Sequence, residues 1–183
     1  MEYMEPASAA HSPFLRRVLG AATFSLPVYE EVEHDADATL QAAGVVGLVA
    51  LAAALGGLQR GPGGLLAGIL GAYVGWALWS GTCYVVGVQL FEGTADWGEL
   101  LRTIGFAQAP GILLVLGAVP RVGVLFYIAI LLWMVGTVLT AIRQALDFNT
   151  RRAAFTALAG FVPYMLARTA IELLVGITPT VLP

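Results

Sequence analysis

The chain has 183 residues, of which 58% are hydrophobic and 11% charged, and its mean hydropathy is +0.82. Soluble domains carry about 25% charged residues, so this balance excludes a soluble globular domain. The formal net charge of −3 leaves no basic face for nucleic acid.

From the N-terminus, residues 1–10 are small and polar and read as flexible. Ser12 and Pro13 form a helix start, with a capping hydroxyl and proline in the first turn. Phe14, Leu15, Val18, Leu19 and Ala22 then share one face, with Arg16 and Arg17 opposite. Two readings fit this short amphipathic helix, and they are compatible. It lies on the membrane surface, or it packs against the ends of the protein's own helices. Arg16 and Arg17 are followed by acid rather than by an apolar core and a cleavage site, so no secretory leader is read. Pro27 restarts the chain, and Val28, Tyr29 and Val32 fall at helical spacing among Glu30, Glu31, Glu33, His34, Asp35 and Asp37. Such a run could hold a divalent cation. Its spacing matches no calcium loop, and a solvated acidic face is expected instead.

Beyond Asp37 the charges sit at the ends of long neutral runs, each close to the ~20 residues that cross a hydrocarbon core. Five spans follow, at about 39–58, 65–91, 103–119, 124–142 and 153–175. All must be helical, because lipid satisfies no backbone group. Gln59 to Gly64 reads as a turn. The second span is longer than a bilayer requires, which implies tilt or an extension beyond it. Asp96 and Glu99 form a capping box, so the third helix starts ahead of its membrane portion. Pro120 to Gly123 is a tight turn. Asp147, Asn149 and Thr150 end one helix and cap the next.

The fold class is therefore an all-α polytopic membrane bundle of five transmembrane helices with a short amphipathic N-terminal helix. Its parts are a cytoplasmic N-terminal segment (1–38), the membrane domain (39–176) and a short external tail (177–183) bearing Pro179 and Pro183. With the N-terminus inside, the inner segments carry Arg16, Arg17, Arg102, Arg143, Arg151 and Arg152, and the outer ones Arg60 and Arg121. That asymmetry obeys the positive-inside rule. Every basic residue is Arg, and Ala, Gly, Val and Leu abound, which points to a GC-rich genome and a bacterial cytoplasmic membrane.

No catalytic set is legible, and no metal or cofactor site is expected. His11 and His34 both precede the first span, and Cys83, the single cysteine, lies within the second. Gly64, Gly68, Gly71 and Gly75 line one side of the second helix, with a GxxxG step between the last two. This stripe could build a homodimer, but packing within the subunit is the commoner use. Intramembrane polarity is confined to Gln108 and to Arg168 with Glu172, which are one helical turn apart. Arg168 stands ~24 Å beyond Arg152 at 1.5 Å per residue, near the outer headgroups. A structural pair is favoured there over a proton path. Pro110 and Pro163 each remove a helical donor and are expected to kink their helices. Gln108 could satisfy a carbonyl that Pro110 frees.

Several stretches resemble the Yip domain family, the Ypt/Rab-interacting five-span membrane proteins. They are Val28 to Val32 with Asp35 and Gln41-Ala42, then Phe91 to Gly93 and Leu100 to Pro110, and Pro120 with Gly123. The likeness covers about residues 14–175 and implies a five-helix bundle with a cytoplasmic N-terminus. Eukaryotic members of that family act in vesicle trafficking and bind Rab GTPases. This chain lacks their long N-terminal region and their Asp-Leu-Tyr-Gly-Pro-type motif, so Rab binding does not carry over.

The expected function is non-enzymatic: a scaffold, assembly factor or accessory subunit that organises membrane protein partners within the lipid bilayer. The recognition surface is expected on the cytoplasmic side, at Tyr29, Glu30, Glu31, Glu33, Asp35, Glu92, Asp96, Trp97, Glu99 and Arg102. The alternative is a small transporter or channel using Gln108, Arg168 and Glu172.

Overall fold

A computed structural model describes residues 13–56 and 61–175. The Ser12 cap, His11, Arg60 and the C-terminal prolines lie outside the described residues. Two short helices, α1 (Pro13–Ala22) and α2 (Leu26–His34), precede five long ones. These are α3 (Ala38–Gly56), α4 (Gly61–Tyr84), α5 (Trp97–Ala107), α6 (Gly123–Ala145) and α7 (Thr150–Leu174). All five are long and apolar enough to cross a membrane once the extensions of α4 and α5 are included. Of the turn expected over Gln59 to Gly64, Gly61 to Gly64 instead open α4, and Gln59 lies outside the described residues. Pro62 is compatible with that, since its missing N–H falls where a helix start has no partner for it.

The ends of the elements follow local chemistry. Asp96 caps α5 reciprocally, accepting from the Glu99 N–H at 2.7 Å while Glu99 accepts from the Asp96 N–H at 2.7 Å. Asn149 accepts from the Arg152 N–H at 3.0 Å and starts α7. Phe24, Glu92, Arg121 and Asp147 take left-handed φ values of 61°, 58°, 68° and 52° at the turns between helices. The second long helix changes pitch before its end: Val85–Leu90 continues α4 in π-helical geometry. This segment seats the buried Gly87 where a Cβ would stand 2.5 Å from Leu146.

Pro110 changes the third span more than a kink would. From Ala109 to Ala118 the chain tightens into 3-10 geometry, and the Gly111 N–H donates to the Gln108 carbonyl at 2.8 Å. That leaves the Ala107 carbonyl without its helical donor. The donor comes from another helix: the Thr137 hydroxyl of α6 reaches it at 2.6 Å. The side chain of Gln108, expected to fill this role, does not. Pro163, by contrast, lies inside an unbroken α7.

The third span is the axis of the bundle. It is 67% buried, packed among α2, α3, α4 and α6, whereas α7 is 11% buried and rests mainly on α4. Small residues permit the closest approaches. A Cβ at Gly105 would stand 2.8 Å from Ala42 of α3 and 3.2 Å from Trp76 of α4. Indole N–H groups join helices, Trp76 donating to the Leu101 carbonyl at 3.0 Å and Trp79 to the Ala157 carbonyl at 3.1 Å.

Candidate docking face

Where α1 begins, the ends of α2, α4 and α6 and the starts of α3, α5 and α7 converge on one face of the bundle. Arg17 of α1 is its centre. It is 8% exposed and donates to Glu31 at 2.9 Å, to Asp35 at 2.6 Å and to Gln41 of α3 at 3.1 Å. Arg16 adds a forked pair to Glu31, at 2.6 Å to each oxygen. Arg17, on the side of α1 opposite its apolar residues, is thus buried. The hairpin folds α2 over that side, and the α2 carboxylates cover it. Burial opposes the Arg17 charge, but the bonds to Asp35 and Glu31 outweigh it and raise its pKa. The Arg16 bond holds Glu31 below the usual carboxylate range against the effect of burial, and Arg17 does the same to Asp35.

Two further residues expected on the surface lie inside. Tyr29 is fully buried, and its hydroxyl donates to the Ala21 carbonyl at 3.0 Å, with Thr137 O at 3.3 Å. Burial raises its pKa. Arg102 is 8% exposed, and its Nε donates to the last carbonyls of α2, Val32 at 3.0 Å and Glu33 at 3.1 Å. A guanidinium there both satisfies orphan carbonyls and complements the negative end of the helix dipole. Both side chains are internal fasteners, because α2 docks on α5 and α6 rather than standing in water.

The charges that remain exposed are mixed: Glu30, Asp37, Glu92, Asp96 and Asp147 with Arg16, Arg143, Arg151 and Arg152, beside His34 and Trp97, the last at 49%. Thr94 links two loops of this face by donating to Asp147 at 3.3 Å. Glu33 and Glu99 are half-buried. Burial pushes the Glu33 carboxyl up to about 7, and the Glu99 charge adds to it; exposed His34 opposes the shift, and Asp147 and Glu30 contribute further. Among the described residues no three His, Cys, Asp or Glu side chains form a metal-ligating group.

The remaining intramembrane positions lie deeper. Arg168 Nε donates to Glu172 at 3.1 Å, and Glu172 is 5% exposed. The pair is turned against α4 at Gly71, where a Cβ would meet Arg168 Cγ at 3.6 Å. By the helical rise, Arg168 stands ~27 Å along α7, and Gln108 ~16 Å along α5. No hydrogen bond joins Gln108 to either among the described residues. Gly75 faces the Tyr164 ring of α7, whereas a Cβ at Gly68 meets nothing within 4 Å.

Among the described residues, five long apolar helices without a strand define an all-α multi-pass membrane protein. The Yip1 domain sequence model matches residues 21–170. The chain belongs to the Yip1 domain family. No curated protein and no solved structure matches it significantly.

Proposed function

We propose that this protein is a non-enzymatic scaffold, assembly factor or accessory subunit that gathers other membrane proteins. Its N-terminal face looks into the cytoplasm of a bacterial cell. The observation that carries this reading is the half-exposed Trp97, which directly follows exposed Asp96 at the end of the loop that also bears exposed Glu92. A large aromatic with an acidic rim fits a partner that offers an apolar contact and basic residues. Membership of the Yip1 family, which is not known as enzymatic, supports the same reading.

The test replaces Trp97 by a photoreactive benzophenone amino acid in native membranes. A discrete protein adduct that weakens when Glu92 and Asp96 become Gln and Asn is expected. Adducts with lipid alone would overturn the reading.

A further inference from the structure

We propose that α1 and α2 form a re-entrant hairpin whose tip lies among the acyl chains of the leaflet on the side where α1 begins. The depth of the tip comes from its partners on α6. The Trp133 indole donates to the Ala22 carbonyl at 2.8 Å, and the Phe24 ring lies over Gly136, where a Cβ would stand 3.1 Å from it. Arg143 marks the end of the apolar run of α6. Trp133 lies ~15 Å and Gly136 ~10 Å further in at 1.5 Å per residue, against ~15 Å for half a hydrocarbon core. Thr137, one residue beyond Gly136, meets the buried Tyr29 hydroxyl at the same level.

The chemistry of the hairpin agrees with that depth. No charge occurs between Arg17 and Glu30, and the ion pairs of Arg16 and Arg17 gather at the open end. The exposed side chains towards the tip are Leu19, Thr23, Phe24, Leu26 and Pro27, and the Thr23 hydroxyl is turned back onto the Leu19 carbonyl at 2.9 Å. A helix end in water can leave its last carbonyls to the solvent, whereas one in hydrocarbon cannot. All four final carbonyls of α1 are bonded within the protein. Leu19 accepts from the Thr23 N–H at 3.0 Å and Gly20 from the Ser25 N–H at 2.9 Å. Ala21 accepts from the Tyr29 hydroxyl, and Ala22 from Trp133. Leu132 and Val135, each next in sequence to a residue of α6 that the hairpin touches, are exposed within a helix long and apolar enough to cross a membrane. Acyl chains are therefore the occupant that fits.

Depth-dependent fluorescence quenching tests this. Single cysteines replace Leu15, Leu19, Phe24 or Leu26 in a Cys83→Ala background. Each is labelled with a polarity-sensitive fluorophore and reconstituted into phosphatidylcholine and phosphatidylglycerol vesicles. Some vesicles carry nitroxides near the headgroup and others near the chain end. Phe24 and Leu26 are expected to be quenched more by the deep than by the shallow nitroxide, Leu15 the reverse, with aqueous iodide ineffective at the tip. Equal depths at all four positions would mean a helix lying on the surface and would overturn the proposal. So would iodide quenching at Phe24, or shielding of both tip positions from every quencher. Two tip positions guard against one variant that fails to fold.

Discussion

Glu33 carries a charge that its surroundings disfavour. Its carboxyl is half-buried and faces the negative charge of Glu99, while its own carbonyl is held by Arg102. A folded-state pKa of about 7, above its unfolded value, means that the native state binds the extra proton. Its contribution to stability is fully present below the unfolded pKa and is lost as pH rises through about 7. Glu31 and Asp35 carry the opposite sign: their lowered values favour the fold above the usual carboxylate range, and that contribution disappears in acid. Glu33→Gln is therefore expected to raise stability at pH 8 by on the order of 1 kcal/mol, a figure reduced for solvent screening, and to change little at pH 5. Thermal unfolding in detergent at the two pH values measures this. An equal shift at both would show that Glu33 titrates normally.

At the scale of elements, the same residue type does different work on different turns of one helix. Gly75 and Gly68 both belong to the glycine stripe of α4, but only Gly75 abuts a ring, that of Tyr164. Gly75→Ala is expected to destabilise by about 1–3 kcal/mol through overpacking. Gly68→Ala, with open space around it and a better helix former, is expected to cost nothing or to stabilise by up to about 1 kcal/mol. Unfolding midpoints for the two variants in one detergent settle the contrast, and similar losses in both would refute it. The proline bend offers a second comparison. Thr137→Val deprives the Ala107 carbonyl of its cross-helix donor and is expected to cost about 1 kcal/mol, whereas Thr137→Ser keeps the hydroxyl and most of the stability.

These elements also show what a linear reading can and cannot reach. The spans were legible because hydrocarbon demands long neutral runs, and the Asp96–Glu99 cap because both bonds close within one turn. Periodicity around Arg17 reveals the two sides of α1 but not that α2 covers the charged one. A stretch with Arg16, Arg17 and then Glu31 and Asp35 did hold a signal, since opposite charges on adjacent short helices favour a hairpin. The bonds from Thr137 to Ala107 and from Trp133 to Ala22 had none. They join residues 30 and 111 positions apart and exist only once the bundle has assembled.

At the scale of the whole molecule, the proposed orientation in the membrane rests on the arginines. Arg17 and Arg102 are internal, so only the arginines facing outwards are left to meet headgroups. Arg16, Arg143, Arg151 and Arg152 are exposed on the N-terminal face, and Arg121 is exposed on the opposite one. The bias survives the loss of the two buried cations, and it supports the proposed cytoplasmic placement of the acidic loops and Trp97. Cysteine accessibility in intact cells tests the assignment, with Cys83→Ala as background. Val122 is exposed beside Arg121, and Ala36 is exposed between α2 and α3. A membrane-impermeant maleimide is expected to label Val122→Cys in intact cells, and Ala36→Cys only after the membrane is opened. The reverse pattern would put the Trp97 face outside the cell. The partner would then have to be sought among extracytoplasmic proteins, although the helix packing itself would be unchanged.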